Sequence, residues 1–134
     1  MPFSHNNAQE VCLCGSETIY KNCCQPFHNK QSYPETAEQL MRSRYVAYAL
    51  QLKSYLQETW HISTRPKELS FDPESSWTKL MINGRKKGRK KDSEGWVTFT
   101  AFYQVGLESN QLQEKSYFIR DSDQHWCYVD GEIK

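Results

Sequence analysis

The chain has 134 residues, the length of one domain, and a net charge of +1. Aliphatic residues are sparse, but eight Tyr and four Trp supply apolar mass. Disorder needs high net charge together with low hydrophobicity, so the composition describes a folded, polar, aromatic-rich domain and excludes a disordered one.

Met1 to Glu10 has no Lys or Arg and no apolar core, so no signal peptide is expected. No apolar run approaches the ~20 residues of a membrane span. Both points place the chain in the cytoplasm, where five cysteines suggest metal or catalysis before disulfides. Four of them fall at Cys12, Cys14, Cys23 and Cys24, so residues 1–30 read as a small unit of their own and 31–134 as the main domain. Gln25 to Glu35, between Pro26 and Pro34, reads as a linker or lid. Thr36 is a candidate N-cap, with Gln39 in the capping-box position. Met41, Tyr45, Tyr48, Leu52, Tyr55 and Leu56 then recur at helical spacing, which predicts two helices with a bend near Gln51, ending about Trp60. Asp72-Pro73 could open a short helical turn.

The period then changes. Trp77 to Asn83, Gly95 to Val105, Leu112 to Asp121 and His125 to Asp130 read as strands joined by turns. Asn83-Gly84 and Gly88 place a basic run, Arg85, Lys86, Lys87, Arg89, Lys90 and Lys91, in a hairpin loop. That run takes six of the 17 basic residues and leaves the rest of the chain acidic. Helices followed by an antiparallel sheet define an α+β domain with helices on one sheet face. A dinucleotide-binding fold is excluded, because no G-x-G-x-x-G motif and no helix between strands is present.

The cysteines follow the spacing C-x-C-x8-C-C. Four soft thiolates within 13 residues suit tetrahedral Zn²⁺, with Gly15 allowing a tight turn and Lys21 offsetting part of the negative charge. Cys24 is the first choice for fourth ligand and His28 the second. A disulfide between adjacent Cys23 and Cys24 would be strained. Four protein ligands leave no open position, so the metal is expected to be structural.

Cys12-Leu13-Cys14-Gly15-Ser16 followed by Cys23-Cys24 resembles the SEC-C zinc motif, named for the tail of the bacterial preprotein translocase ATPase. Leu40-Met41-Arg42-Ser43-Arg44-Tyr45, Thr59-Trp60-His61, Trp126 and Tyr128-Val129-Asp130-Gly131 are similar to the YchJ family of bacterial proteins. The resemblance implies a cone-shaped nuclear-transport-factor-2-like domain, with helices on a curved antiparallel sheet, behind a SEC-C knuckle. Many members end in a second SEC-C motif. This sequence holds one, so functions that need two are not expected of it. SEC-C motifs are associated with protein partners, which implies an adaptor that engages a partner through its knuckle.

Cones of this fold commonly enclose a pocket. Arg44 lies on the edge of the helical stripe and Glu114 on one strand face with Ser116 and Phe118, so the two are expected to meet as a buried ion pair. Arg42 falls further from the stripe. With His61, the pair would form the polar set of a small-molecule enzyme, the alternative to the adaptor. Trp60, Trp96 and Trp126 read as core or pocket wall, and Cys127 as a buried thiol without cues for activation. Arg85 to Lys91 offer a third reading, contact with RNA or the ribosome through a salt-dependent basic loop.

Overall fold

Residues 7–134 are described in the computed structural model, and the part of the N-terminal reading that falls on residues 1–6 lies outside them. An isolated antiparallel bridge joins Val11 to Ile19, and a 3-10 turn follows over Tyr20–Asn22. A four-residue helix, α1, spans Gln25–His28, where a linker was expected. Pro26 sits in its first turn, where a missing N–H costs no hydrogen bond. Helix α2 spans Ala37–Leu50. The Thr36 hydroxyl accepts the Gln39 N–H at 3.1 Å, and the Gln39 side chain accepts the Glu35 N–H at 2.7 Å. The box thus closes one residue earlier than the sequence pattern implies. Gln51 ends α2 in the left-handed region, and α3 covers Lys53–Glu58. Asp72-Pro73 starts a hydrogen-bonded turn rather than a helix, with the Asp72 carboxylate accepting from Glu74 N–H and the Ser75 hydroxyl.

The sheet is an antiparallel meander of β1 (Ser75–Lys87), β2 (Glu94–Val105), β3 (Glu108–Arg120) and β4 (Trp126–Ile133), in that spatial order. Two limits differ from the sequence reading. β1 runs on through Lys87, so Arg85, Lys86 and Lys87 stand on a strand opposite Val97, Trp96 and Gly95, not in a loop. β3 begins at Glu108, because Gly106 and Leu107 alone turn the chain. Register shifts at Trp77/Lys79, Ile82/Gly84 and Tyr117/Phe118 bend the strands, as bulges do. The curved sheet wraps around α2.

Leu40, Met41, Tyr45 and Val46 of α2 pack on Leu80, Val97, Phe99, Ala101, Phe118 and Trp126 of the sheet. Each large apolar side chain buried here contributes about 2 kcal/mol. Cys12, Cys14, Tyr20 and Cys24 belong to the same apolar cluster. A smaller cluster joins Ala47 of α2 to Tyr55 and Leu56 of α3. Helix α2 is therefore buried on both sides, by the sheet and by the N-terminal segment with α3.

The start of α2 rests on the β1–β2 turn, where the Gly88 carbonyl accepts the Ala37 N–H at 2.9 Å. Gly95 lies opposite Lys87, and a Cβ at Gly95 would run into the backbone of Gly88. Gly95→Ala is expected to cost about 2–3 kcal/mol by forcing this turn off the helix. Urea unfolding of the variant measures it, and a midpoint equal to the parent's would show that the turn yields freely.

Candidate metal centre

The bridge between Val11 and Ile19 brings the two halves of the cysteine pattern together, with Cys12 N–H donating to the Thr18 carbonyl at 2.8 Å. Gly15 sits at φ +85°, and its Cα faces the Leu80 carbonyl closely enough that a side chain would crowd it. This position therefore suits glycine both for the turn and for the approach to β1. The second pair, Cys23 and Cys24, follows the 3-10 turn, and Cys24 caps α1.

The four sulfurs all lie within 4.8 Å of one another. Cys14 Sγ is 3.6 Å from Cys23 Sγ, which is 4.0 Å from Cys24 Sγ. A tetrahedron of thiolates at 2.3 Å from zinc has edges of about 3.8 Å, so the observed separations fit a Cys₄ site. Cys12, Cys14 and Cys24 are buried and Cys23 partly so. The cluster could hold a metal ion, and the chain fills all four positions.

Hydrogen bonds among the thiols split their acidities. Bonds from the other sulfurs, Cys12 first, hold Cys14 well below the usual thiol range, and bonds from Cys12 and Cys24 hold Cys23 at about 7 against an opposing bond to Cys14. Bonds to the same neighbours, Cys12 first, push Cys24 up. The Ser16 hydroxyl lies 3.0 Å from Cys23 Sγ. Such a set surrenders its remaining protons to a metal.

His28, the alternative fourth ligand, stands outside this cluster. Its Nε2 lies 2.9 Å from the Ser43 carbonyl, which can only accept, so Nε2 carries the proton. Its Nδ1 then accepts from the Tyr20 hydroxyl at 2.6 Å. Burial lowers the pKa of this ring, in keeping with a neutral imidazole. His28 is a strut between the knuckle and α2. Lys21 is exposed; the cation that reaches the knuckle is Arg42, whose Nη1 donates to the Cys14 carbonyl at 2.6 Å while Nε pairs with Glu38. The sequence reading missed Arg42 because it counted one apolar stripe on a helix that is buried on two sides.

Arg44 and Glu114 both line a cavity of about 270 Å³ between α2 and the sheet, but they form no ion pair. Two competing partners explain this. The Arg44 Nη1 donates to the Leu56 carbonyl at 2.8 Å and the Thr59 hydroxyl at 2.7 Å, acceptors at the end of α3. Glu114 accepts from the Ser116 hydroxyl at 2.7 Å. His61 lies elsewhere. Its N–H donates to the Tyr128 carbonyl and its Nδ1 meets the Ser63 hydroxyl at 2.7 Å, beside the edge of β4. The three candidates do not form one catalytic set.

Trp126 is core, with its indole N–H on the Glu35 carbonyl. Trp60 lies edge-on to Tyr128. Trp96 instead stacks on Tyr117 on the outer sheet face, with Lys86 Nζ 5.1 Å above its ring. Cys127 is buried, and burial pushes its thiol up to about 11. Four members of the basic run have carboxylate partners: Arg85 with Glu38, Lys87 with Glu94, Arg89 with Asp92 and Lys90 with Glu35.

Comparison with known proteins agrees with this architecture. Residues 36–131 match the family model described as YchJ, middle NTF2-like domain. A UPF0225 protein of Streptomyces avermitilis is 46% identical over 122 residues, covering 91% of this chain and 84% of that protein. A UPF0225 protein of Chromobacterium violaceum is 39% identical over 134 residues, covering 97% and 98%. The solution structure of a SEC-C motif containing protein from Rhodopseudomonas palustris is 32% identical, with a TM-score of 0.79 over 92% of this chain and 98% of that one. A crystal structure of a SEC-C motif containing protein from Psychrobacter arcticus shares the fold, with a TM-score of 0.77 at 22% identity over 95% of this chain and 84% of that one. With a SEC-C-type cysteine cluster in front of a nuclear-transport-factor-2-like cone, the chain belongs to the YchJ family.

Proposed function

We propose that the protein is a cytoplasmic zinc-binding adaptor, in which Cys12, Cys14, Cys23 and Cys24 hold one structural Zn²⁺ and the outer surface of the knuckle engages a protein partner. The observation that carries the zinc reading is the spacing of the four sulfurs, which fits Zn–S geometry and leaves no open coordination position. None of the five cysteines is in a disulfide, in keeping with a reducing compartment. Among the described residues no helix is long and apolar enough to cross a membrane. Val11 supports the partner reading. It is 56% exposed, directly beside buried Cys12, so the folded knuckle displays an apolar side chain that its own small core leaves out.

When bound, zinc would offset two of the four thiolate charges and close the loop from Cys12 to Cys24. Purified under reducing conditions, the protein is expected to carry about one zinc per chain by atomic emission. Cys14→Ser should lose it. The thiols share a core with α2, so the variant should also lower the melting temperature of the whole chain and reduce amide protection at Leu40 and Ser43. A metal-free parent, or a Cys14→Ser variant with unchanged zinc and melting temperature, would sink the zinc reading.

The adaptor reading is tested by affinity capture from a bacterial lysate with three baits: the zinc-loaded parent, the chelated parent and zinc-loaded Val11→Asp. A partner retained by the first and lost from the other two is expected, with Val11→Asp keeping its metal. Equal capture by all three would place any partner contact elsewhere on the chain.

A further inference from the structure

The cavity between α2 and the sheet holds a buried charge without a counter-charge. Arg44 is 4% exposed and lines this space. Its Nη1 is engaged by Leu56 and Thr59. Among the described residues, no carboxylate lies within 4.0 Å of the guanidinium, and Nε and Nη2 donate to no protein acceptor. The rings of Tyr128 and Trp60 flank it at 4.7 and 5.1 Å from their centroids, which softens the burial of a cation but supplies no anion. Burial lowers its pKa, the sign of a guanidinium short of compensation. A buried charge left alone is costly, so a group retained here with open donors is poised for an anion.

The rest of the cavity restricts what carries that anion. Trp77, Phe99, Phe118 and Tyr48 make the walls aromatic. A dry cavity of about 150 Å³ holds benzene, so 270 Å³ accommodates one ring with short substituents. Glu114 lines the same space, and one of its oxygens accepts from Ser116. Its other oxygen has no partner among the described residues and repels a second anion, while accepting from a hydroxyl or an amine. We propose that the cone cavity binds a small aromatic carboxylate whose carboxylate group meets Arg44, whose ring packs against Trp77 and Phe99, and whose hydroxyl or amino substituent donates to Glu114.

The proposal is independent of the metal and of the knuckle's partner. The test uses the full zinc-loaded chain and three probes: 4-hydroxyphenylacetate, 4-hydroxyphenylacetamide and phenylacetate. Calorimetry is expected to give a dissociation constant of about 0.1–1 mM for 4-hydroxyphenylacetate, with at least a tenfold loss for the amide and a smaller loss for phenylacetate. Amide resonances of Leu112 and Ser116 should shift on titration, since both residues line the cavity. Arg44→Lys should retain part of the affinity and Arg44→Gln lose it. Arg44 also braces α3, so a second variant separates binding from folding. Ala101 lines the cavity from β2 and takes no part in the Arg44 hydrogen bonds, so Ala101→Leu should abolish binding by taking up its volume, with an unchanged circular-dichroism spectrum checking that the protein stays folded. Equal binding of acid and amide would overturn the proposal, as would unchanged binding by Ala101→Leu or no binding at about 10 mM of the acid.

Discussion

Four consecutive residues of α2, Arg42 to Tyr45, tie the molecule together. Successive helical side chains point about 100° apart, so four in a row face four directions. Arg42 turns to the knuckle and holds the Cys14 carbonyl. Ser43 is fully buried; its hydroxyl donates to Leu40 and receives the Tyr55 hydroxyl, and its carbonyl receives His28. Arg44 fixes the end of α3. Tyr45 packs edge-on against Trp77 of β1. A helix in this role cannot be amphipathic in the simple sense, because it has almost no solvent side.

The knuckle and the cone are mechanically joined through this helix. The chain from Tyr20 through His28 to Ser43 crosses from one to the other with two hydrogen bonds, at 2.6 and 2.9 Å. Three of the four cysteines contribute buried sulfur to the core that contains Leu40 and Phe118. Local order in the knuckle therefore supports global packing, and a metal that closes the Cys12 to Cys24 loop acts on more than the residues that bind it.

Local rules made much of this legible in the sequence. Thr36 and Gln39 mark the start of α2, and the cysteine spacing marks the four-sulfur cluster, because capping and the convergence of closely spaced thiols depend on short-range spacing. Where two tertiary surfaces compete for one residue, local rules failed. A single apolar stripe favoured Arg44 over Arg42, yet both are used, on opposite flanks of α2. Arg85, Lys86 and Lys87 read as a loop because Gly84 and the charges hide the strand period, whereas pairing to β2 holds them extended. Trp96 reads as core by residue type and lies outside, since Gly95 and Val97 on either side are the buried residues of that strand.

The two arginines also divide the chemistry. They stand two positions apart on one helix, about 200° around its axis. Arg42 sits beside the four-cysteine cluster, and its charge is answered by the Cys14 carbonyl and by Glu38. Arg44 sits beside a cavity, and its charge is answered by carbonyl dipoles, a hydroxyl and aromatic faces alone. A closed metal site has no position left for a substrate, while an aromatic cavity with an open cation does. Any small molecule this protein recognises is therefore expected to report on Arg44 and the sheet wall, and to leave the four-cysteine cluster unchanged.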